Sequence, residues 1–171
     1  LLQENQPGII SAEDSELVQL AALLHDIGHP PYSHLLETPE VFATFHSHEH
    51  WGRLLLESQN TEIGKAIREV LGPDRLNRLF DIMDGKSSSN GVAIAPFLKE
   101  IVSSQLDVDR MDYLVRDQAN TGAQIGGFDI DRVFRALRVG ENGHFQVKTW
   151  GLPAIEAVSY THLTLPTIRE V

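Results

Sequence analysis

A group of imidazoles and carboxylates follows the first apolar segment of the chain. The stretch LAALLHDIGHPPYSHLLE brings His25, Asp26, His29, His34 and Glu37 close together in sequence. Such side chains are costly to bury alone, so they need hydrogen bonds, opposite charges or a metal ion as partners. Mixed His and carboxylate ligands suit Mn, Fe or Zn, and Mg less well. The pattern therefore indicates a site for a divalent metal or for acid–base chemistry, and leaves the metal open.

A second group of polar side chains lies in LDVDRMDYLVRD. The spacing i, i+4, i+8 places three of them on one stripe of a helix: Asp109, Tyr113 and Asp117. Arg110 lies beside this stripe. Three apolar residues are expected on a different side: Met111, Leu114 and Val115. The stripe is a plausible pocket wall, but an exposed helix with ion pairs is the alternative, and Asp112 with Arg116 at i, i+4 fits it.

The first helix should position the histidine group. Ser11 with Asp14 forms a capping-box arrangement, and apolar residues at helical spacing predict a helix from Ala12 to Ile27. Gly28 and the following Pro-Pro pair should end it. His25 and Asp26 would then lie in its last turn.

Further helices and one β-hairpin are predicted along the rest of the chain. One helix is expected to start after Ser47, and the next after Asn60 or Thr61, with an end near Leu71. Two further helices are expected, one starting at Pro73 and one running from Pro96 to Gln105. The polar segment 84–91 is predicted to be a loop. Alternation around Asn142-Gly143 predicts a β-hairpin near the C-terminal end. The predicted fold class is mainly α.

Composition excludes several classes of protein. The chain has 171 residues, 42% hydrophobic content and no Cys, which predicts one soluble domain, or a piece of one, without disulfides or thiolate metal sites. A signal peptide and a long apolar span are both missing from the sequence, so we expect a cytoplasmic protein and no membrane partner. The formal net charge of -10 argues against broad nucleic-acid binding.

Several motifs occur in an order that resembles the HD-domain phosphohydrolase superfamily. They are LLHDIGHPPYSHLLE, HSHEH, LDVDRMDYLVRD followed by TG, FDIDR and GLPAIEA. Within the superfamily they are similar to the deoxynucleoside triphosphate triphosphohydrolase branch, over nearly all of the chain up to Ala157. The resemblance implies an HD-domain helical bundle.

The resemblance also implies roles, residue by residue. The implied metal ligands are His25, Asp26 and Asp109. The implied catalytic residues are His34, its acidic partner Glu37, and His48 within the pair His48-Glu49. The implied substrate-binding residues are His29 near the phosphates, Arg110 on a phosphate, and Tyr113 and Asp117 on the deoxyribose. No role is assigned to His46, His50 or His144.

The implied reaction is hydrolysis of a deoxynucleoside triphosphate at the α-phosphorus, which releases a deoxynucleoside and inorganic triphosphate. The implied cofactor is a divalent metal, and the implied assembly is a homo-oligomer, with a nucleotide activator left open. Two other functions stay open: a phosphatase or phosphodiesterase acting on nucleoside monophosphates or second messengers, and a nucleotide-binding regulatory module without catalysis.

The sequence departs from the family's pattern at both ends. The family's first metal ligand is a His in an upstream H-S-x-G motif, which has no match before Ser11, so we expect a fragment with weak metal binding and little activity. After Ala157 the segment VSYTHLTLPTIREV resembles the translation of a sequencing-library adapter. Residues 1–157 are therefore predicted to be a partial HD domain and residues 158–171 a non-native tail.

Overall fold

A computed structural model of the chain describes residues 2–38, 46–121 and 129–164, with the side chains at 33, 36 and 159–164 left out. The helices are α1 (Leu2–Asn5), α2 (Ala12–Leu24), α3 (His48–Glu57), α4 (Glu62–Met83), α5 (Pro96–Val102), α6 (Val108–Thr121), α7 (Ile130–Ala136) and α8 (Leu152–Thr164). The strands are β1 (Ser88–Ser89), β2 (Val92–Ala93), β3 (Leu137–Val139) and β4 (Phe145–Val147). The mainly α fold class is confirmed. Among the described residues, no helix is both long and apolar enough to span a bilayer.

The backbone groups into two compact units. The central unit comprises Glu16–Ile94, and the terminal unit combines the described residues before Glu16 with those after Ile94. Helix α2 begins in the terminal unit and continues into the central one.

Helix α2 is shorter than the sequence predicts. Its start is as expected, since the Ser11 hydroxyl accepts from the Asp14 N–H at 2.9 Å. At its end the His25 N–H still donates to the Ala21 carbonyl at 2.9 Å, but the Ile27 N–H reaches only back to Leu24, at 3.2 Å. The final turn is thus tightened toward 3₁₀ geometry. His25 and Asp26 therefore lie in the turn that follows the helix, and their predicted place in its last turn is wrong.

The two helices predicted on either side of the Gly72-Pro73 pair are confirmed. The Thr61 hydroxyl accepts from the Gly64 N–H at 3.1 Å and caps α4. At Gly72 the backbone adopts φ 70° and ψ 176°, which interrupts the helical path, and Pro73 starts the second half. Two helical segments therefore meet here at a kink, as the Gly-Pro pair predicts.

The segment predicted as a loop, residues 84–91, contains half of a second hairpin. Strand β1 pairs antiparallel with β2, with Ser89 opposite Val92. The turn residues Asn90 and Gly91 both have positive φ, 48° and 78°, as a two-residue hairpin turn of the primed type requires. Three Ser residues precede the turn and Val92, Ala93 and Ile94 follow it, so the strands carry no apolar alternation, and the Asn90-Gly91 pair is the local signal for this hairpin.

Asp81 at the end of α4 holds this hairpin. Its carboxylate accepts from Lys86 Nζ at 2.5 Å. Burial raises the pKa of Asp81, but hydrogen bonds from Lys86 and Ser89 and the charges of Lys86 and Arg53 outweigh it, so the pKa lies below its usual 3.8. Ser89 is the polar residue that β1 buries.

We expect Asp81→Asn to lower the free energy of unfolding at neutral pH and to weaken the dependence of that free energy on acid pH. Because the folded-state pKa of Asp81 is below the unfolded value, its carboxylate stabilises the fold above about pH 4 and loses this effect as the pH falls through the folded pKa. The variant should lose about 1 kcal/mol at pH 7 and have a weaker pH dependence below pH 4. Urea unfolding at several pH values measures both. Equal losses at pH 7 and pH 3 would contradict this interpretation.

The terminal unit has its own apolar core. Six buried side chains from α6, α7, β3 and α8 form it: Met111, Leu114, Val133, Leu137, Ala154 and Val158. The hairpin predicted around Asn142-Gly143 is confirmed as β3 and β4, paired antiparallel with Arg138 opposite Gln146. The fold of this unit therefore places α6, which carries the second polar group, on a packed support.

Helix α5 ends at Val102 and the prediction of an end at Gln105 is wrong. The Asp107 carboxylate accepts from the Ser104 N–H at 3.0 Å and from the Arg110 N–H at 2.8 Å. These bonds turn the chain out of α5 and cap the start of α6.

The predicted non-native tail begins inside α8. Val158 is fully buried in the terminal core, and the helix continues to Thr164. Residues 165–171 lie outside the described part of the chain. The non-native origin of this segment stays a prediction.

Candidate functional site

Gly28 determines how the chain leaves α2. The residue is buried, and a Cβ at this position would overlap the carbonyl oxygen of His48 and the backbone nitrogen of Gly52. Only glycine permits this approach of two backbones. The turn after α2 and the start of α3 are thereby held together, which brings distant histidines of the sequence into one group.

Glu37 is the centre of that group. Its carboxylate lies 3.2 Å from His34 Nδ1 and 3.0 Å from His48 Nδ1. His29 Nδ1 lies 3.6 Å from the same carboxylate. The predicted pairing of Glu37 with His34 is thus present in the structure. The same Glu37 carboxylate also lies beside the imidazoles of His48 and His29.

Glu37 also caps helix α3. The His48 N–H donates to Glu37 Oε1 at 3.1 Å. Ser47 occupies the N-cap position, as predicted, but its side chain makes no capping hydrogen bond. Glu49, the other member of the sequence pair His48-Glu49, is exposed, with Oε1 3.4 Å from His48 Nε2. Sequence reasoning missed the link from Glu37 to His48 because the two are 11 residues apart and share no local spacing pattern.

The Glu37 carboxylate stays ionised at neutral pH. Its side chain is 10% exposed. Burial raises the pKa of Glu37, but hydrogen bonds and positive charge from His34 and His48 outweigh it, so the net pKa lies below the usual 4.5. Glu37 can therefore accept from two imidazoles at once.

The His-Asp doublet lies on the other side of these rings. His25 Nε2 is 3.2 Å from Asp26 Oδ1, and His29 Nε2 is 3.5 Å from the same oxygen. His25 Nδ1 lies 2.8 Å from the Ala22 carbonyl, so it carries the proton and leaves Nε2 as the basic nitrogen. A backbone-held imidazole of this kind beside a carboxylate fits a metal ligand.

The three imidazoles around Glu37 also contact one another. The rings of His29 and His48 stack with centroids 3.8 Å apart, and His34 meets His29 edge-on at 4.9 Å. His48 is 15% exposed, whereas His34 is 72% exposed. His34 is therefore the imidazole of this group that a ligand reaches first.

The remaining predicted site residues lie on α6, in the terminal unit. Asp109 is exposed in the first turn of the helix, and Asp117 is exposed further along it. Arg110 Nη1 donates to the Gln105 carbonyl at 3.3 Å, and its Nε is buried without a hydrogen-bond partner among the described residues. Tyr113 is half-buried against the terminal core. Their roles toward metal and substrate stay predictions.

The apolar side of α6 is partly as predicted. Met111 and Leu114 are buried, whereas Val115 is 42% exposed. Asp112 and Arg116 form the predicted ion pair.

The histidines without an assigned role, and the described residues of the FDIDR motif, lie outside the group around Glu37. His46 and His50 are exposed and stack on each other with centroids 4.2 Å apart. His144 pairs with Glu100 at 2.6 Å. Within FDIDR, Asp129 caps α7 by accepting from the Arg132 N–H, whereas Phe128 lies outside the described residues, as does Gly122.

Comparisons with known proteins identify the family of the chain. The family model described as HD domain matches residues 2–117. Human deoxynucleoside triphosphate triphosphohydrolase SAMHD1 is 34% identical over 170 residues, which cover 82% of this chain and 26% of that protein. YwfO of Bacillus subtilis is 35% identical over 144 residues, which cover 84% of this chain and 30% of YwfO. The chain thus spans less than a third of each of these two relatives.

A solved structure shows the same fold. The phosphohydrolase BT4208 from Bacteroides thetaiotaomicron superposes with a TM-score of 0.72 at 30% identity, over 94% of this chain and 36% of that one. The chain belongs to the HD-domain family of phosphohydrolases, and its relatives include the SAMHD1 triphosphohydrolases.

Proposed function

We propose that the chain carries a metal-dependent site that hydrolyses deoxynucleoside triphosphates to a deoxynucleoside and inorganic triphosphate. The observation that supports it most is one carboxylate, Glu37, shared by His34 and His48 next to the His25-Asp26 doublet. A metal doublet beside positioned acid–base groups is what phosphoryl hydrolysis needs. Similarity to SAMHD1 supports the substrate class.

His25, Asp26 and Asp109 are the proposed ligands of a divalent metal, which could be Mn, Fe, Zn or Mg. The Ala22 carbonyl fixes the His25 tautomer, so that Nε2 is the ligating atom. A bound divalent ion supplies polarisation of the phosphoryl group and lowers the pKa of water at the site.

His34 is the proposed proton donor. In the reaction a water oxygen adds to the α-phosphorus, the bond from phosphorus to the 5′-oxygen breaks, and that oxygen takes a proton. With Nδ1 held by Glu37, His34 can deliver this proton from Nε2. Its exposure makes the imidazole accessible to the leaving oxygen.

The other predicted residues bind the substrate. His29, His48 and Arg110 are proposed to stabilise negative charge on the phosphates. Tyr113 and Asp117 are proposed to contact the deoxyribose. A homo-oligomeric state, a nucleotide activator and a cytoplasmic location remain predictions.

Triphosphate release tests this function. The chain, expressed within the longest natural reading frame that contains it, is incubated with each deoxynucleoside triphosphate and Mn or Mg. We expect inorganic triphosphate, and a loss of at least about a hundredfold in His25→Ala and in Asp109→Ala. His144→Ala, which removes a histidine paired with Glu100, serves as the matched control with unchanged rate.

Other products would change the assignment. Orthophosphate from a nucleoside monophosphate or a cyclic nucleotide would indicate a phosphatase or phosphodiesterase. Nucleotide binding without turnover would indicate a regulatory module. Triphosphate release that persists in both variants would contradict the proposed metal ligands.

A further inference from the structure

We propose that His29, His34, Glu37 and His48 form a second metal site, which takes a late first-row transition ion such as Zn²⁺ and inhibits hydrolysis when occupied. The binding part rests on geometry alone, and the inhibitory part rests on the function proposed above. These four residues share no member with the His25-Asp26 doublet.

The ligand atoms are already gathered. Each of the four residues offers one ligand atom, and these atoms all lie within 4.8 Å of one another. The Nδ1 atoms of His48, His34 and His29 lie 3.0, 3.2 and 3.6 Å from the Glu37 carboxylate. Ligands at ordinary Zn²⁺ bond lengths in a tetrahedron are about 3.3 Å apart. Small side-chain rotations would therefore complete the site.

The ligand set selects the type of ion. Three imidazoles and one carboxylate suit Zn²⁺, Cu²⁺ or Ni²⁺, which bind nitrogen ligands tightly. Mg²⁺ prefers six oxygen ligands in an octahedron and would gain little here. Glu37 and His48 are shielded, whereas His34 is exposed, so an ion can enter at His34.

The rings of His29 and His48 lie between the second site and the His25-Asp26 doublet. His29 and His48 direct Nδ1 toward Glu37 and Nε2 toward Asp26, at 3.5 Å for His29 and 3.9 Å for His48. An ion at the Glu37 side would replace the hydrogen bonds from His34 and His48 to the carboxylate. His34 would then be a metal ligand and would no longer act as the proton donor. Occupation of the second site should therefore inhibit hydrolysis.

Zinc titration of the 171-residue chain tests the binding. Long-range nitrogen–proton NMR spectra follow the imidazole nitrogens, and calorimetry counts the bound ions. We expect Zn²⁺ to shift Nδ1 of His34 and His48, and Mg²⁺ to leave both unmoved. The spectra of the unmodified chain decide this, so the test does not depend on whether a variant folds. If Zn²⁺ leaves both Nδ1 signals in place, the site is refuted.

Variants separate the two sites. His34→Gln combined with His48→Gln should lose one equivalent of Zn²⁺, whereas His25→Gln combined with Asp26→Asn should retain it. His46→Gln combined with His50→Gln is the matched control, because it removes two neighbouring histidines outside the group. Loss of the equivalent in the His25 and Asp26 variant, with retention in the His34 and His48 variant, would overturn the proposal.

The inhibitory part has its own readout. Zn²⁺ added to the Mn-activated enzyme should lower triphosphate release by at least about tenfold, at the concentration that shifts His34 Nδ1. If Zn²⁺ shifts the His34 Nδ1 signal but the rate of triphosphate release stays unchanged, the inhibitory part is refuted. If no nucleotide is hydrolysed at all, the proposed function fails, and the NMR titration still decides whether the second site exists.

Discussion

Glu37→Gln is expected to lower kcat for triphosphate release by about 10² to 10⁴-fold. The glutamine amide has one accepting oxygen and one donating NH₂ group, so it cannot accept from His34 Nδ1 and His48 Nδ1 in the way that the two carboxylate oxygens do. At least one imidazole must then change tautomer or turn away. Steady-state kinetics with each active nucleotide measures the loss.

Two further variants show whether the loss is specific. Glu141→Gln makes the same chemical change on an exposed residue of the β3–β4 turn and should leave kcat unchanged. Glu49→Gln should cost less than Glu37→Gln, because Glu49 is exposed and lies 3.4 Å from His48 Nε2. A greater loss in Glu49→Gln would mean that Glu49, and not Glu37, positions His48.

The local part of this site could be predicted from the sequence. Glu37 follows His34 by three residues, at the C-cap of the short 3₁₀ helix Ser33–Leu36, so their pairing depends on nearby backbone alone. The doublet His25-Asp26 is likewise recognisable at the end of an apolar helix. What the sequence could not predict is the carboxylate of Glu37 at the start of α3, because that contact depends on how two segments pack.

The helices and hairpins show the same difference between features encoded locally and features that depend on packing. Helix starts with a capping side chain, such as Thr61 and Asp129, are encoded within a few residues. Helix ends were less predictable, since α5 stops where Asp107, a residue outside it, captures two backbone N–H groups. The hairpin at Asn90-Gly91 has a local turn signal, but its support by Asp81 of α4 depends on packing.

Gly28→Ala is expected to destabilise the chain by about 3 kcal/mol and to abolish hydrolysis. The added methyl group would overlap backbone atoms of His48 and Gly52, which cannot move as the end of a flexible side chain can. Relief requires α3 to shift away from the turn after α2. That shift would pull His48 from Glu37 and from the Asp26 side of the site. Urea unfolding and triphosphate release measure the two effects.

The facing glycine provides the matched control. A Cβ at Gly52 would meet its nearest neighbours, Gly28 N and Ile27 Cγ2, at 3.5 Å, which is ordinary van der Waals contact. Alanine also favours the interior of a helix over glycine by about 0.5 to 1 kcal/mol. Gly52→Ala should therefore be neutral or slightly stabilising and should keep its activity. If both alanine variants behave alike, the close approach at Gly28 is not what holds the turn after α2 against α3, and the histidine group must be assembled by other contacts.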